Sequence, residues 1–254
     1  MRAGSNWKRA ARDAAPVAFV LALCPLVAAM APAPAGPVGR AIRVVAVERS
    51  LHMFFEPTVH AWVAARPALL KAADLGYATI HLPVTLGVLA WVWVSRPMAF
   101  RLTRNTFVVA QTLLVAGYVL VPTAPPRLVP SLGFGASIGA GSPGLDRVAM
   151  SPYAAMPSGH AAFAVIAAAT VVCLARGRLV RLIAALYPLA VLLETIATGN
   201  HFWIDAAIGA AVAAMAFRLA RTINHRGGRA WIGRWHLARL VRRSGDALSD
   251  SSSA

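Results

Sequence analysis

Apolar residues in this chain gather into long uninterrupted runs instead of alternating or marking one face of a surface helix. Six runs of roughly 15–20 residues lie between charges, the length a bilayer core of about 30 Å asks of a helix. They cover approximately residues 15–35, 77–95, 106–123, 158–175, 179–198 and 202–217. An all-α fold follows, a six-helix transmembrane bundle. The fourth and fifth runs are separated only by "RGRLVR", which predicts a tight helical hairpin. Between the first two runs the pattern changes. In "AIRVVAVERSLHMFFE" apolar residues recur at helical spacing among Arg43, Glu48 and Arg49, as in an interfacial helical segment lying on the outer membrane face. Pro57 and Pro67 break that segment into pieces. The stretch between Pro122 and Pro157, with "SLGFGASIGAGSPG", has the composition of a loop. No internal repeat is present.

These boundaries divide the chain into a basic N-terminus (1–14), a membrane domain (15–219, with its core at 77–217) and a basic tail (220–254) ending in the disorder-prone "SDSSSA". Within the tail, "WIGRWHLARLVRR" reads either as an interfacial helix or as a solvated basic segment. The N-terminal run followed by "APAG" also resembles a cleavable signal peptide with an Ala-x-Ala site, and the topology downstream is the same in either case.

Composition supports the membrane reading: 58% of residues are hydrophobic and 13% charged, with mean hydropathy +0.62, beyond what a soluble domain carries. Basic residues then orient the bundle, because they are retained on the cytoplasmic side of short loops. With the N-terminus inside, eighteen of the 25 basic residues fall on inner segments. Both termini are therefore expected in the cytoplasm of a bacterial-type plasma membrane. The net charge of +16 lies beside apolar spans and not on a module with interleaved aromatics, so anionic membrane lipids and not nucleic acid are the expected partner. Cys24 and Cys173 sit inside apolar runs without ligand spacing, which supports neither a disulfide framework nor a zinc site.

Polar groups at membrane depth are costly, about 2.5–3.5 kcal/mol for an Asp or Arg near a helix centre, so their positions are informative. Three clusters stand out: "TAPPRL" (123–128), "MPSGH" (156–160) and "GNHFWID" (199–205). With the N-terminus inside, all three meet at the outer face. Ser158 is a good N-cap, Gly159 permits close approach, and the first amides of the helix they open form an anion site reinforced by the helix dipole. His160 stands beside that anion, able to bind it or to protonate a leaving oxygen. His201 and Asp205 are i and i+4, on one helix face, where a carboxylate can fix the imidazole tautomer. Arg127 follows two prolines that hold its backbone extended, and its guanidinium can grip two phosphate oxygens. His52, His60, His81, His225 and His236 have no comparable partner and read as interfacial or structural.

On these residues the chain resembles the type 2 phosphatidic acid phosphatases, six-helix membrane enzymes that share a catalytic core with vanadium haloperoxidases. The family pattern is Lys-x6-Arg-Pro, Pro-Ser-Gly-His and Ser-Arg-x5-His-x3-Asp. The second motif is complete at Pro157–Ser158–Gly159–His160, and the third is present as His201-x3-Asp205. Leu120 and Leu128 stand at the Lys and Pro positions of the first motif, and Glu194 and Thr195 replace the Ser-Arg pair. "TAPPRL" and "GNHFWID" are most similar to the inositol phosphorylceramide synthase branch. The resemblance implies a metal-independent, cofactor-free reaction on a phospholipid or isoprenoid phosphate. His201 would become a phosphohistidine, Asp205 orient it and His160 protonate the leaving lipid oxygen. Arg127, Ser158 and the Gly159 N–H would hold phosphate. Arg147, on the outer loop, is a candidate replacement for the missing cations. Phosphatase, headgroup phosphotransferase and a non-catalytic scaffold or transporter are the readings that follow, in that order.

Overall fold

Backbone amides surrounded by apolar side chains have no water to bond, so an apolar run satisfies them internally, as helix. The computed structural model describes residues 3–30, 33, 35–134 and 151–224. Its helices are α1 (Ala3–Ala29), α2 (Ala35–Ser50), α3 (Glu56–Ala64), α4 (Pro67–Thr79), α5 (His81–Ser95), α6 (Pro97–Leu120), α7 (Gly159–Leu174), α8 (Arg178–Ala197) and α9 (Trp203–Ile223). Short 3-10 turns occupy Pro126–Leu128 and Pro130–Leu132. Among the described residues the β pairing is one isolated bridge, Thr123 with Ala154. The chain is all-helical there, as the pattern of runs predicts.

Helix ends depart from the runs for local reasons. Helix α6 begins at Pro97, earlier than the apolar run, with the proline at its first position, and Arg104 in the added turns reaches Asp13 of α1 at 3.4 Å. Helix α1 likewise continues through the polar start of the chain from Ala3. The segment after α1 divides where its prolines predict: Pro57 lies in the first turn of α3 and Pro67 opens α4, positions where a missing N–H costs nothing.

Helices α8 and α9 are each long and apolar enough to cross a bilayer, and α4 with α5, bent by 44° at their junction, passes the same test as one broken span. Leu179, Leu182, Ile183, Leu186, Leu189 and Leu193 of α8 are all more than half exposed. A continuous apolar face of that size belongs against lipid tails. The protein is a membrane protein.

The core packs α6, α7 and α9 together, with α1 on α6, α5 against α6 and α7, and α7 paired with α8 as the short "RGRLVR" connection requires. Phe100, Phe107, Leu114, Phe163 and Ile166 fill the centre. Ala206, Gly209, Ala213, Ala216 and Ala220 form a buried stripe of small residues along α9, which lets helix backbones approach without bulky side chains between them. A Cβ at Gly209 would collide with the carbonyl oxygen of Ser158, so α9 lies directly on the residue that caps α7. Above this, α2 covers the loop at 122–134, with Ala41, Val45, Ala124, Val129 and Phe202 in contact.

Candidate active site

His201 is placed by the end of α8. Gly199 takes a left-handed conformation (φ 65°), and the amides of Asn200 and His201 both return to the Thr195 carbonyl, at 2.9 and 3.3 Å. The chain therefore turns sharply before α9 starts. The imidazole is 3% exposed. Its Nδ1 lies 2.8 Å from the Ala155 carbonyl, which can only accept, so Nδ1 carries the proton and Nε2 presents a lone pair. Ala155 is itself fixed, its N–H bonding the Thr123 carbonyl at 3.3 Å.

Asp205 stands 3.5 Å from His201 Nδ1 through Oδ2, but the same oxygen accepts the Phe202 N–H at 2.9 Å. The tautomer expected from the i, i+4 pair is thus set first by a backbone carbonyl, and the carboxylate binds the turn that carries the histidine. Burial, together with the positive charge of Arg127 and against the pull of the Ala155 carbonyl, holds His201 down to about 4. Burial thus favours the neutral imidazole. Arg127 arrives because its N–H bonds the Gly199 carbonyl at 3.0 Å, tying the 3-10 turn to the same corner.

Ser158 caps α7, its Oγ accepting the Ala161 N–H at 3.2 Å, while its own N–H bonds the Asp205 carbonyl at 2.9 Å. The hydroxyl hydrogen is left to be donated. The Tyr118 hydroxyl lies 2.9 Å from where a Cβ on Gly159 would stand and meets the Gly159 backbone N–H. The His160 ring donates to the Tyr77 carbonyl and stacks on the Tyr77 ring at 4.2 Å. Its centroid is 5.8 Å from that of His201.

The expected residues Arg127, Ser158, Gly159, His160, His201 and Asp205 are therefore gathered at one corner of the fold. His81 corrects the sequence reading. Read as interfacial or structural and without a comparable partner, it has one: its ring is 4.4 Å from His160 and 5.6 Å from Phe163, and its Nδ1 is buried without a hydrogen-bond partner. The bend between α4 and α5 puts it there. His60, by contrast, is structural, bonding the Ala197 carbonyl at 2.7 Å. Tyr118 and Tyr77 were not legible as site residues, since aromatic residues in apolar runs read as core. Glu48 and Glu56, both 0% exposed, bond the first amides of α9; on an amphipathic segment they read as the solvated face.

The positions that carry cations in the resembled motifs are turned to other uses. Leu120 is 78% exposed on α6, while Thr195 is 1% exposed and its carbonyl holds the turn to His201. Arg147, proposed in their place, lies outside the described residues, as do the 231–243 segment, His225 and His236. Among the described residues no group of three or more His, Cys, Asp or Glu side chains is arranged to hold a metal ion.

Compared with known proteins, residues 42–219 match the family model described as the PAP2 superfamily. The match takes in α2 to α4 as well as the later helices. No curated protein and no solved structure matches significantly.

Proposed function

Because the chain belongs to the PAP2 superfamily, we propose that it is a metal-independent lipid-phosphate phosphatase acting through a phosphohistidine at the extracytoplasmic face of a plasma membrane. Superfamily membership supports phosphatase or phosphotransferase chemistry on a lipid phosphate. The finer reading rests on one observation, the buried neutral His201 whose Nδ1 is committed to Ala155, leaving Nε2 as the nucleophile toward His160.

In this reading α1, the bent α4–α5 pair, α6, α7, α8 and α9 are the six spans, with both termini cytoplasmic. The lipid phosphate sits between the two histidines while its tails remain in the bilayer. Arg127 and the Ser158 hydroxyl hold equatorial oxygens, and the Gly159 N–H joins them once the Tyr118 hydroxyl gives way. Nε2 of His201 attacks phosphorus as the bond to the lipid oxygen breaks, and His160, protonated beside the phosphate dianion, gives that oxygen its proton. Water then attacks the phosphohistidine, returning a proton to His160 and releasing phosphate and free His201. Catalysis is positioning and charge stabilisation.

An alcohol in place of water would make the same site a headgroup phosphotransferase, the reading favoured by the "TAPPRL" and "GNHFWID" likeness to the inositol phosphorylceramide synthase branch. The test is purified protein in detergent, assayed for phosphate release and for headgroup transfer on phosphatidate, an isoprenyl pyrophosphate and phosphatidylinositol. His201→Ala is expected to lower turnover about 10⁴-fold or more. The acid limb of kcat/KM is expected near pH 4, where His201 takes up its proton. Unchanged turnover in His201→Ala overturns the mechanism, and no turnover of any substrate by the unsubstituted protein restores the scaffold or transporter reading.

A further inference from the structure

The first turn of α9, immediately after His201, is closed by three carboxyl groups from three helices. The Phe202 N–H bonds Asp205 Oδ2 at 2.9 Å, the Trp203 N–H bonds Glu56 Oε1 at 3.0 Å and the Ile204 N–H bonds Glu48 Oε1 at 3.3 Å. All three residues are 0% exposed. The loop joining α2 to α3 adds the Met53 carbonyl, which accepts the Trp203 indole N–H at 2.9 Å. The reaction described above uses neither glutamate.

Two carboxyls that reach nearly 150 residues along the chain to the turn beside the nucleophile are a costly way to cap a helix. A side-chain oxygen from a local Ser or Asp suffices elsewhere. Glu48 and Glu56 are within hydrogen-bonding reach of each other, and each has its second oxygen, Oε2, buried without another partner. A buried pair of acids this close disfavours two charges, and a carboxylic acid beside a carboxylate can hold one proton between them. Each then keeps its other oxygen for an α9 amide. The arrangement also fills the α9 amides, so the phosphate is directed to the α7 N-terminus and Arg127.

We infer that Glu48 and Glu56 are positioning residues for His201: sharing one proton, they clasp the first turn of α9 from the interfacial segment and hold the nucleophile in register with His160. The inference rests on the proposed phosphohistidine chemistry only for its effect on rate; the placement of His201 is a separate observable.

The proton gives the clasp a pH signature. Both glutamates lie on the interfacial helices, outside the spans. Burial first, then the charge of Glu56 on α3 and of Asp205 on α9, push Glu48 up to about 8 against the opposing Ile204 N–H. The folded site therefore retains a proton that an unperturbed glutamate loses near 4.5. The clasp is complete at low pH and is lost as pH rises through about 8.

The experiment compares the unsubstituted protein with Glu48→Gln and Glu48→Ala. Glutamine is the permanently neutral partner: its amide donates to Glu56 and its oxygen accepts from Ile204. In the unsubstituted protein kcat is expected to fall above pH 8; in Glu48→Gln activity near pH 7 is retained within about threefold and that alkaline fall disappears. Glu48→Ala is expected to lose tenfold or more in kcat with KM little changed. Nitrogen NMR of the His201 ring reports placement without turnover. Its signals should shift between pH 7 and 9 in the unsubstituted protein and stay constant in Glu48→Gln. An alkaline limb that survives unchanged in Glu48→Gln, or a His201 ring insensitive to pH in the unsubstituted protein, overturns the inference. If no substrate is turned over, the phosphatase reading fails while the NMR arm still decides this one.

Discussion

The bundle has two polar corners, and they treat their carboxylates in opposite ways. At the end where α1, α5 and α6 meet, Asp13 is faced by Arg104 at 3.4 Å, Arg9 at 3.7 Å, Arg12 at 3.9 Å and the Trp93 indole N–H at 3.2 Å. Near it, Asn105 donates to Asn224 at 3.1 Å, joining α6 to the end of α9. One acid there has an excess of cations. At the other end Asp205, Glu48 and Glu56 are fully buried and bond amides, and their second oxygens meet no amide or cation. Buried polar groups are nearly always satisfied, and exceptions gather where function needs them. The first corner is arranged to hold helices together. The second uses its acids to fix the turn that carries His201, beside which the proposed phosphate site lies.

The largest expected break in that contrast comes from removing the positive charge at the second corner. Arg127→Ala is expected to lower turnover about 10²- to 10³-fold, as loss of one transition-state contact does, while the thermal midpoint in detergent stays close to that of the unsubstituted protein. Arg147→Ala run beside it measures whether Arg147 supplies a second cation. Full phosphate release in Arg147→Ala with loss in Arg127→Ala removes Arg147 from the site. Release retained in Arg127→Ala would place phosphate binding elsewhere altogether.

The contrast also explains what could be read from the sequence. Helical class followed from run length, and Arg127, Ser158, His160, His201 and Asp205 stood out in the sequence as polar clusters bounding apolar runs. Those inferences need only periodicity and chain direction. Glu48 and Glu56 were not legible because a charge on an amphipathic stretch is ordinarily a solvated one; their burial comes with α2 folding over Phe202 and α3 packing on α8, contacts between distant segments. His81 escaped for a related reason. Its nearness to His160 depends on the 44° bend between α4 and α5, and no pattern within "ATIHLPVTLG" reports a bend angle. Ala155 shows the limit most clearly: the group that sets the His201 tautomer is a backbone carbonyl, which has no sequence signature at all.

His81 gives a smaller and sharper test of the same corner. Its ring is packed on His160 and on Phe163. His81→Ala is therefore expected to lower kcat about tenfold by loosening the His160 ring, an effect at the low end of what general acid catalysis contributes. His81→Phe, which restores the packing without the nitrogens, separates the two things a histidine can do there. Recovery in His81→Phe assigns it to packing, and loss equal to His81→Ala assigns it to hydrogen bonding toward His160 or the phosphate. The acid limb of His201 near pH 4 should be unmoved in both.

At the first corner the expected effect on chemistry is the smallest of all. Asp13→Ala leaves Arg104, only 11% exposed at its side chain, without its carboxylate, and it frees the Trp93 indole N–H. A charged hydrogen bond lost in such a setting costs about 1–3 kcal/mol, which should appear as a lower thermal midpoint and earlier loss of the folded form in detergent. Arg9 and Arg12 are half or more exposed, and their separate removal should change little. Rates measured below the new midpoint should match the unsubstituted protein, because Asp13 shares no partner with His201, His160 or Arg127 and distant sites act independently. A selective fall in kcat with an unchanged midpoint would mean that the two corners are coupled along α6 and α9, and the division of labour between them would have to be abandoned.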